Sequence, residues 1–258
     1  MIVTRRAKTG RRPGLERSLA RDRAPLQTTS NPKPSDLHSL QMCNLYRHDL
    51  SLDTLKRFSA SIELPFLLPD ELGNLPGAYV GRDQDGPVLH KAQDGLKLSM
   101  ARWGFPPVAD GKDLITNIRN LDSSWWRNVN RDWMQNPEHR CLVPFTRFAE
   151  WSKADKGNAW FDVPDAPIAY FAGVSRPWHG ERLKAVEGKK RRQREADDWT
   201  LFAFLTTSPN ELVGPIHPKA MPVILTVPSE CARWLSGGAE TFALQRPYPA
   251  SSMRRVQD

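Results

Sequence analysis

Ile168-Ala169-Tyr170-Phe171-Ala172-Gly173-Val174 and Leu201-Phe202-Ala203-Phe204-Leu205-Thr206 are the stretches on which the fold turns. Each is a short run, apolar nearly throughout and bounded by Pro, Gly or charge. That is the pattern of a strand buried on both faces, and it is too short for a buried helix. Cys141–Val143 and Val223–Thr226 read the same way, and Ala78–Val80, Val88–Leu89 and Leu96–Ala101 add further strand-like runs. Helical signals are fewer. Leu52, Leu55 and Phe58 recur at helical spacing behind Asp49 or Ser51 as the cap. Asp122–Met134 predicts one helix with Trp125, Val129 and Trp133 on one face, and Ser229–Leu235 predicts another with Ser229 as N-cap and Gly237 beyond its end. Many short strands, few helices, no internal repeat and no βαβ rhythm give an α+β fold. Its sheet is expected to be curled, barrel-like and largely antiparallel, with a few flanking helices.

With 258 residues, 39% of them hydrophobic and nine Trp, the chain can bury a sizeable core. No apolar run approaches the roughly 18 residues a membrane span needs, and no secretory signal opens the chain. The expectation is a cytoplasmic, nucleoid-associated monomer with no membrane contact. Three widely spaced cysteines without a CxxC pair argue against a zinc site and against a disulfide framework, so neither metal nor cofactor is expected.

The net charge of +8 is unevenly spread. Residues 1–41 hold nine Lys/Arg against Glu16, Asp22 and Asp36, a net of +6, which leaves only +2 from Met42 onward. A nucleic-acid site must therefore be a local patch rather than a property of the whole body. Residues 1–41 also carry Pro13, Pro25, Pro32 and Pro34 among few large apolar residues. Such a segment cannot bury enough surface to offset its chain entropy, and is expected to be disordered and absent from the mature protein. Residues 42–258 are expected to form one domain. Within it, residues 179–198 (HGERLKAVEGKKRRQREADD) are charged throughout. They predict a solvated loop or hairpin insertion, with DNA contact as the lesser alternative.

Five segments carry a further pattern. Met42-Cys43-Asn44-Leu45-Tyr46 is followed by Ala101-Arg102-Trp103-Gly104-Phe105-Pro106 and by Asn117-Ile118-Arg119. Then come Arg140-Cys141-Leu142-Val143-Pro144-Phe145 with Phe148-Ala149-Glu150-Trp151, and Leu205-Thr206-Thr207 through Asn210 to Pro215-Ile216-His217-Pro218-Lys219-Ala220-Met221-Pro222. In this order they resemble the SOS-response-associated peptidase family, whose members shield abasic sites in DNA. The resemblance runs from Met42 to about Pro249. It departs from the family at Asn44-Leu45, where Gly-Arg is usual, leaving Arg47 as the nearest replacement cation.

The resemblance implies a chemistry that the residues can support. An opened abasic sugar presents an aldehyde. An N-terminal cysteine offers an α-amine with a pKa near 7.7–8.0 beside a thiol near 8.5. The amine condenses to an imine and the thiol closes a five-membered thiazolidine on the same carbon. An internal cysteine lacks the amine, so Cys43 must become the first residue.

By the same resemblance Asn117 hydrogen-bonds the sugar or the new terminus. Glu150, among aromatic neighbours, moves protons during imine formation. His217 protonates the ring oxygen. Arg119 is the leading phosphate contact, with Arg47, Arg102 and Arg147 behind it, and Trp103 and Phe105 wedge beside a base. The implied partner is single-stranded DNA containing abasic sites, with some lyase activity. Two alternatives stand beside this reading: a cysteine-type peptidase acting on its own N-terminus, with Cys43, His217 and Glu150 in the catalytic roles, and a noncovalent single-stranded-DNA-binding module.

Overall fold

The computed structural model describes residues 45–68, 77–107, 113–121, 123–166, 168–184 and 193–257, all within one compact unit, Gln41–Asp258. Cys43 and the expected disorder of residues 1–41 lie outside the described residues, as do the side chains of Trp125 and Val129.

The apolar runs become strands that close on themselves. β4 (Asp85–Ala92) and β5 (Gly95–Trp103) form a hairpin; β7 (Arg140–Phe145), β10 (Ala169–Lys184) and β11 (Gln193–Thr207) continue the sheet. A parallel contact of Leu201 and Phe202 in β11 with Arg102 and Trp103 in β5 closes the ring β4-β5-β11-β10-β7. The remaining pairs around the ring are antiparallel, so the barrel is mixed. β2 (Phe66–Leu67), β6 (Asn117–Ile118), β12 (Met221–Pro222) and β13 (Ile224–Leu225) attach at its margins. The predicted strand Val223–Thr226 is shortened to Ile224–Leu225, with β12 just before it. Pro222 pairs β12 to β11, whereas Ile224 and Leu225 pair with β10.

A second, five-stranded sheet runs β14-β9-β8-β1-β3. It comprises β1 (Leu45–His48), β3 (Ala78–Gly81), β8 (Arg147–Ser152), β9 (Gly157–Asp162) and β14 (Arg254–Val256). One residue separates β7 from β8. Thr146 turns the chain there, its N–H donating to the Arg47 carbonyl at 2.8 Å and its hydroxyl to the same oxygen at 3.1 Å.

Two core clusters explain why the barrel strands lack polar alternation. Leu142, Ala172, Val174, Leu201, Ala203 and Leu205 point to one cluster, completed by Cys231, Trp234 and Leu235 of α3 (Pro228–Ser236). Val143, Phe145, Phe171, Phe202 and Phe204 point to the other, where Tyr46, Phe148 and Phe161 of the second sheet meet them. Trp103 lies at the centre of this aromatic cluster, 5.1 Å from the Phe204 ring and 5.4 Å from Tyr46.

Helix ends follow local chemistry. α1 (Leu52–Ser61) is capped by Ser51, whose side chain accepts from the Thr54 N–H, while Asp49 is engaged by Arg47. The N-cap of α3 is Val227, two residues before the expected Ser229, with Pro228 in the first turn, because proline at N1 needs no donor. Gly237 does follow it, for want of space: a Cβ there would lie 2.3 Å from Thr241 Cγ2. The single helix expected over Asp122–Met134 is instead a π-helical turn, Trp125–Val129, followed by a short α2 (Arg131–Gln135). The wider turn accompanies burial of Trp126 against Phe105 and of Asn130, which accepts from Arg176.

The charged insertion is a hairpin. β10 and β11 stay paired from Gly173↔Phe204 to Lys184↔Gln193, with Trp178 opposite Trp199. Residues 185–192 lie outside the described residues.

Candidate functional site

The site is built where β1 enters the second sheet. Leu45 sits opposite Ala149 and Tyr46 opposite Phe148, so the chain arrives at β1 beside Glu150. Glu150 shares the face of Phe148 two residues earlier, by the period-two alternation of a strand, and is only 1% exposed. Its cross-strand neighbour on β9 is the small Ala159. Trp151 points the other way and is 51% exposed.

Asn117 comes to the same aromatic cluster from the barrel. It pairs with Phe204 in the short parallel strand β6, so the two side chains lie on one face. The strand is anchored just upstream by the Trp103 indole N–H, which donates to the Thr116 carbonyl at 3.0 Å. Asn117 Nδ2 donates to Thr116 Oγ1 at 3.0 Å, whereas Oδ1 is buried and accepts no hydrogen bond among the described residues. An unsatisfied buried acceptor of this kind costs about 1–3 kcal/mol, a cost that a ligand donor would relieve.

His217, 8% exposed, ends a turn organised by Asn210, whose Oδ1 accepts the N–H groups of Leu212 and Val213. Val213, Ile216 and Met221 pack this turn onto the aromatic cluster. Its Nδ1 lies 2.9 Å from the Ala220 carbonyl and accepts from the Ala220 N–H at 3.3 Å. Both contacts fall on Nδ1, so Nε2 has no hydrogen bond among the described residues.

A fourth polar group escaped the sequence reading. Thr206 shares the face of Phe202 and Phe204, is wholly buried, and its Oγ1 has no hydrogen bond among the described residues. In sequence it is one β-branched residue in a strand, with nothing to distinguish it from Thr207. Only the orphaned hydroxyl marks it.

The other expected contacts divide. Arg119 follows β6, is exposed, and its guanidinium has no ion pair or hydrogen bond among the described residues. Arg47 is committed: it binds Asp49 through two bonds of 2.9 Å, donates to Tyr79 Oη, and lies over the Tyr79 ring. These bonds, the one to Asp49 first, hold its pKa further above the usual arginine range. Arg102 is buried against Asp83 and Asp85. Trp103 and Phe105 are buried as well, so neither presents a ring to a base. The reason is Gly104, whose φ of +115° breaks the strand alternation and sends Phe105 into the opposite core cluster.

Neither described cysteine is a nucleophile. Burial pushes the Cys141 thiol far up and that of Cys231 up to about 12. Among the described residues no group of three or more His, Cys, Asp or Glu could hold a metal ion, and no helix is long and apolar enough to cross a membrane. A cavity of about 490 Å³ beside Phe58 and Tyr170, and one of about 570 Å³ beside Trp178 and Pro106, are not lined by Asn117, Glu150, Thr206 or His217.

Three solved structures share the fold. One from Bordetella bronchiseptica is 17% identical, with a TM-score of 0.60 over 83% of this chain and all of its own. One from Bacteroides thetaiotaomicron is 20% identical, with a TM-score of 0.55 over 83% of this chain and 92% of its own. A phage-related protein from B. bronchiseptica is 18% identical, with a TM-score of 0.54 over 84% of this chain and 95% of its own. No curated protein matches the sequence. The family model of the SOS response associated peptidases (SRAP) matches residues 42–257. The chain belongs to the SRAP family.

Proposed function

We propose that this protein captures abasic sites in single-stranded DNA by forming a thiazolidine through Cys43, once Cys43 is the N-terminal residue. The observation that carries the reading is the pairing of Leu45 with Ala149. Cys43 lies two residues before Leu45, a reach of at most about 7 Å. That short tether supports a role for the buried Glu150 carboxylate in the chemistry of the Cys43 amine and thiol. With Cys141 and Cys231 buried and their thiols pushed up, Cys43 is the cysteine left for covalent chemistry.

The chemistry then runs without redox change. His217 donates a proton from Nε2 to the sugar ring oxygen as the ring opens to the aldehyde, and the proton lost from the C1′ hydroxyl returns to the imidazole. The Cys43 amine attacks C1′, and the carbinolamine loses water to give the imine. Glu150 accepts the amine proton and returns it to the departing hydroxyl. The thiol adds to the imine carbon and its proton goes to nitrogen, so one water is released per adduct. In this reading Asn117 Oδ1 and Thr206 Oγ1 bond the sugar hydroxyl or the amine, and Arg119 meets a flanking phosphate; the unmet hydrogen-bonding capacity of the two oxygens supports it. Membership of the SRAP family supports a role in the SOS response.

The test is Cys43→Ala in a chain beginning at residue 43. It should bind abasic single-stranded oligonucleotide yet form no heat-stable adduct. A stable adduct formed by this variant would overturn the proposal. The peptidase alternative also requires Cys43, but predicts release of residues 1–42 by the full chain in the absence of DNA.

A further inference from the structure

Gln245 makes a contact that the catalytic scheme does not use. It follows a 3₁₀ turn, Ala239–Leu244, whose last residue is buried in the core. Its backbone is held on both sides, the N–H donating to the Phe242 carbonyl at 2.9 Å and the carbonyl accepting from Thr207 Oγ1 at 3.4 Å. From that fixed base the side-chain amide reaches two strands. Nε2 donates to the Arg119 carbonyl at 2.9 Å and to the Thr206 carbonyl at 2.7 Å. Only the NH₂ end can serve two carbonyl acceptors, so the amide orientation follows from the chemistry, and both of its hydrogens are used.

β6 pairs with β11 for two residues only, Asn117 with Phe204 and Ile118 with Leu205. The next rung would bring Arg119 beside Thr206, and there the Gln245 amide bridges the two backbones. Arg119 differs from Arg47, Arg102 and Arg254, each of which is bound to an aspartate. Its cation is left for an external anion, on a backbone fixed at its own carbonyl.

We propose that Gln245 is a positioning residue: its amide locks Arg119 in register with Thr206 and Asn117, so that the guanidinium meets a DNA phosphate without first ordering the chain. This rests on the single-stranded-DNA reading above. A preorganised cation contributes more to binding than one that must surrender backbone freedom on contact.

The test is a salt titration of noncovalent binding by the full chain to a single-stranded oligonucleotide without abasic sites. Each phosphate contact on a single strand contributes about 0.7 to the slope of log K against log salt. Arg119→Ala should lower the slope by about that amount. Gln245→Met, close in shape but without the amide, should lower it equally, and the double variant should lose nothing more. Leu244→Ala, which loosens the same turn from the core, should lower the melting temperature and keep the slope. If Gln245→Met does not fold, Gln245→Asn, too short to span both carbonyls, replaces it with the same expected slope. An unchanged slope in the Gln245 variant beside a reduced one in Arg119→Ala, or additive losses in the double variant, would overturn the positioning role. An unchanged slope in Arg119→Ala would overturn the phosphate contact itself, and the positioning role with it.

Discussion

Arg182 closes on Asp83 at 2.6 Å, joining the outer part of the long hairpin to the turn before β4. Arg102 reaches the same carboxylate at 3.1 Å and also bonds the Leu183 carbonyl, while Arg182 donates to the Gly104 carbonyl. Both guanidinium groups are nearly buried, so Asp83 is the charge that makes their burial tolerable.

Replacing Asp83 by Asn should therefore be costly. Breaking a buried pair strands its partner charges and typically costs about 3–5 kcal/mol. Burial alone would raise the Asp83 pKa, but bonds from Arg182 and then Arg102 more than offset it, and the net shift is downward. A depressed carboxylate contributes stability above its unfolded pKa that is lost as pH falls through the folded one. Urea unfolding should show Asp83→Asn less stable at neutral pH, with the gap to the parent chain narrowing below about pH 3.8. An Asn variant as stable as the parent would mean that this part of the hairpin is held by packing alone.

Histidines set a second window. His48, His90 and His139 are all held below their ordinary value of 6.5, with burial the first cause in each. His90 is pushed down to about 4; the Arg140 backbone opposes the shift, while Lys97 and His139 add to it. Between these pH values the unfolded chain binds protons that the folded chain refuses, so stability falls as pH falls from about 6.5 to 4. His90 accounts for up to about 3 kcal/mol of that loss. In His90→Gln the unfolding midpoint should drop less between pH 7 and 5 than in the parent. An equal drop would remove His90 as a contributor.

The two described cysteines should be silent toward alkylation. Folded protein treated with iodoacetamide should gain no label at Cys141 or Cys231 by peptide mass mapping, and both should label in denaturant. Labelling of either in the folded state would show that its burial is broken by local opening.

Glu150→Gln separates proton transfer from binding. It should slow adduct formation by about 10²- to 10⁴-fold, the usual contribution of a general acid–base group. Affinity for abasic single-stranded DNA, measured by anisotropy, should stay within a few-fold. If the adduct forms at the parent rate, Glu150 does not move the proton.

Much of this was legible in the sequence because burial on both faces leaves a plain signal. The runs at 141–143, 168–174 and 201–206 became β7, β10 and β11, the strands that close the barrel. What stayed hidden depends on single backbone events or on partners distant in sequence. Gly104 sends Phe105 into the core cluster opposite that of Trp103, which no periodicity in that segment announces. β6 is two residues long, too short to show a period, so that Asn117 shares a face with Phe204 follows only from their pairing. Thr206 and Gln245 acquire meaning only from unmet or bridging hydrogen bonds. The paired strands on either side of residues 185–192 kept their charges because they extend beyond the core, where Trp178, Arg182 and Trp199 are among the residues held.

The most direct test of the central proposal is the intact mass of protein purified from its native host, before and after incubation with abasic single-stranded DNA. A chain beginning at Cys43 that gains the mass of one oligonucleotide less one water is the predicted result. A chain that begins at Cys43 and gains no mass, or that gains it while still carrying residues upstream of Cys43, would contradict capture by the N-terminal cysteine.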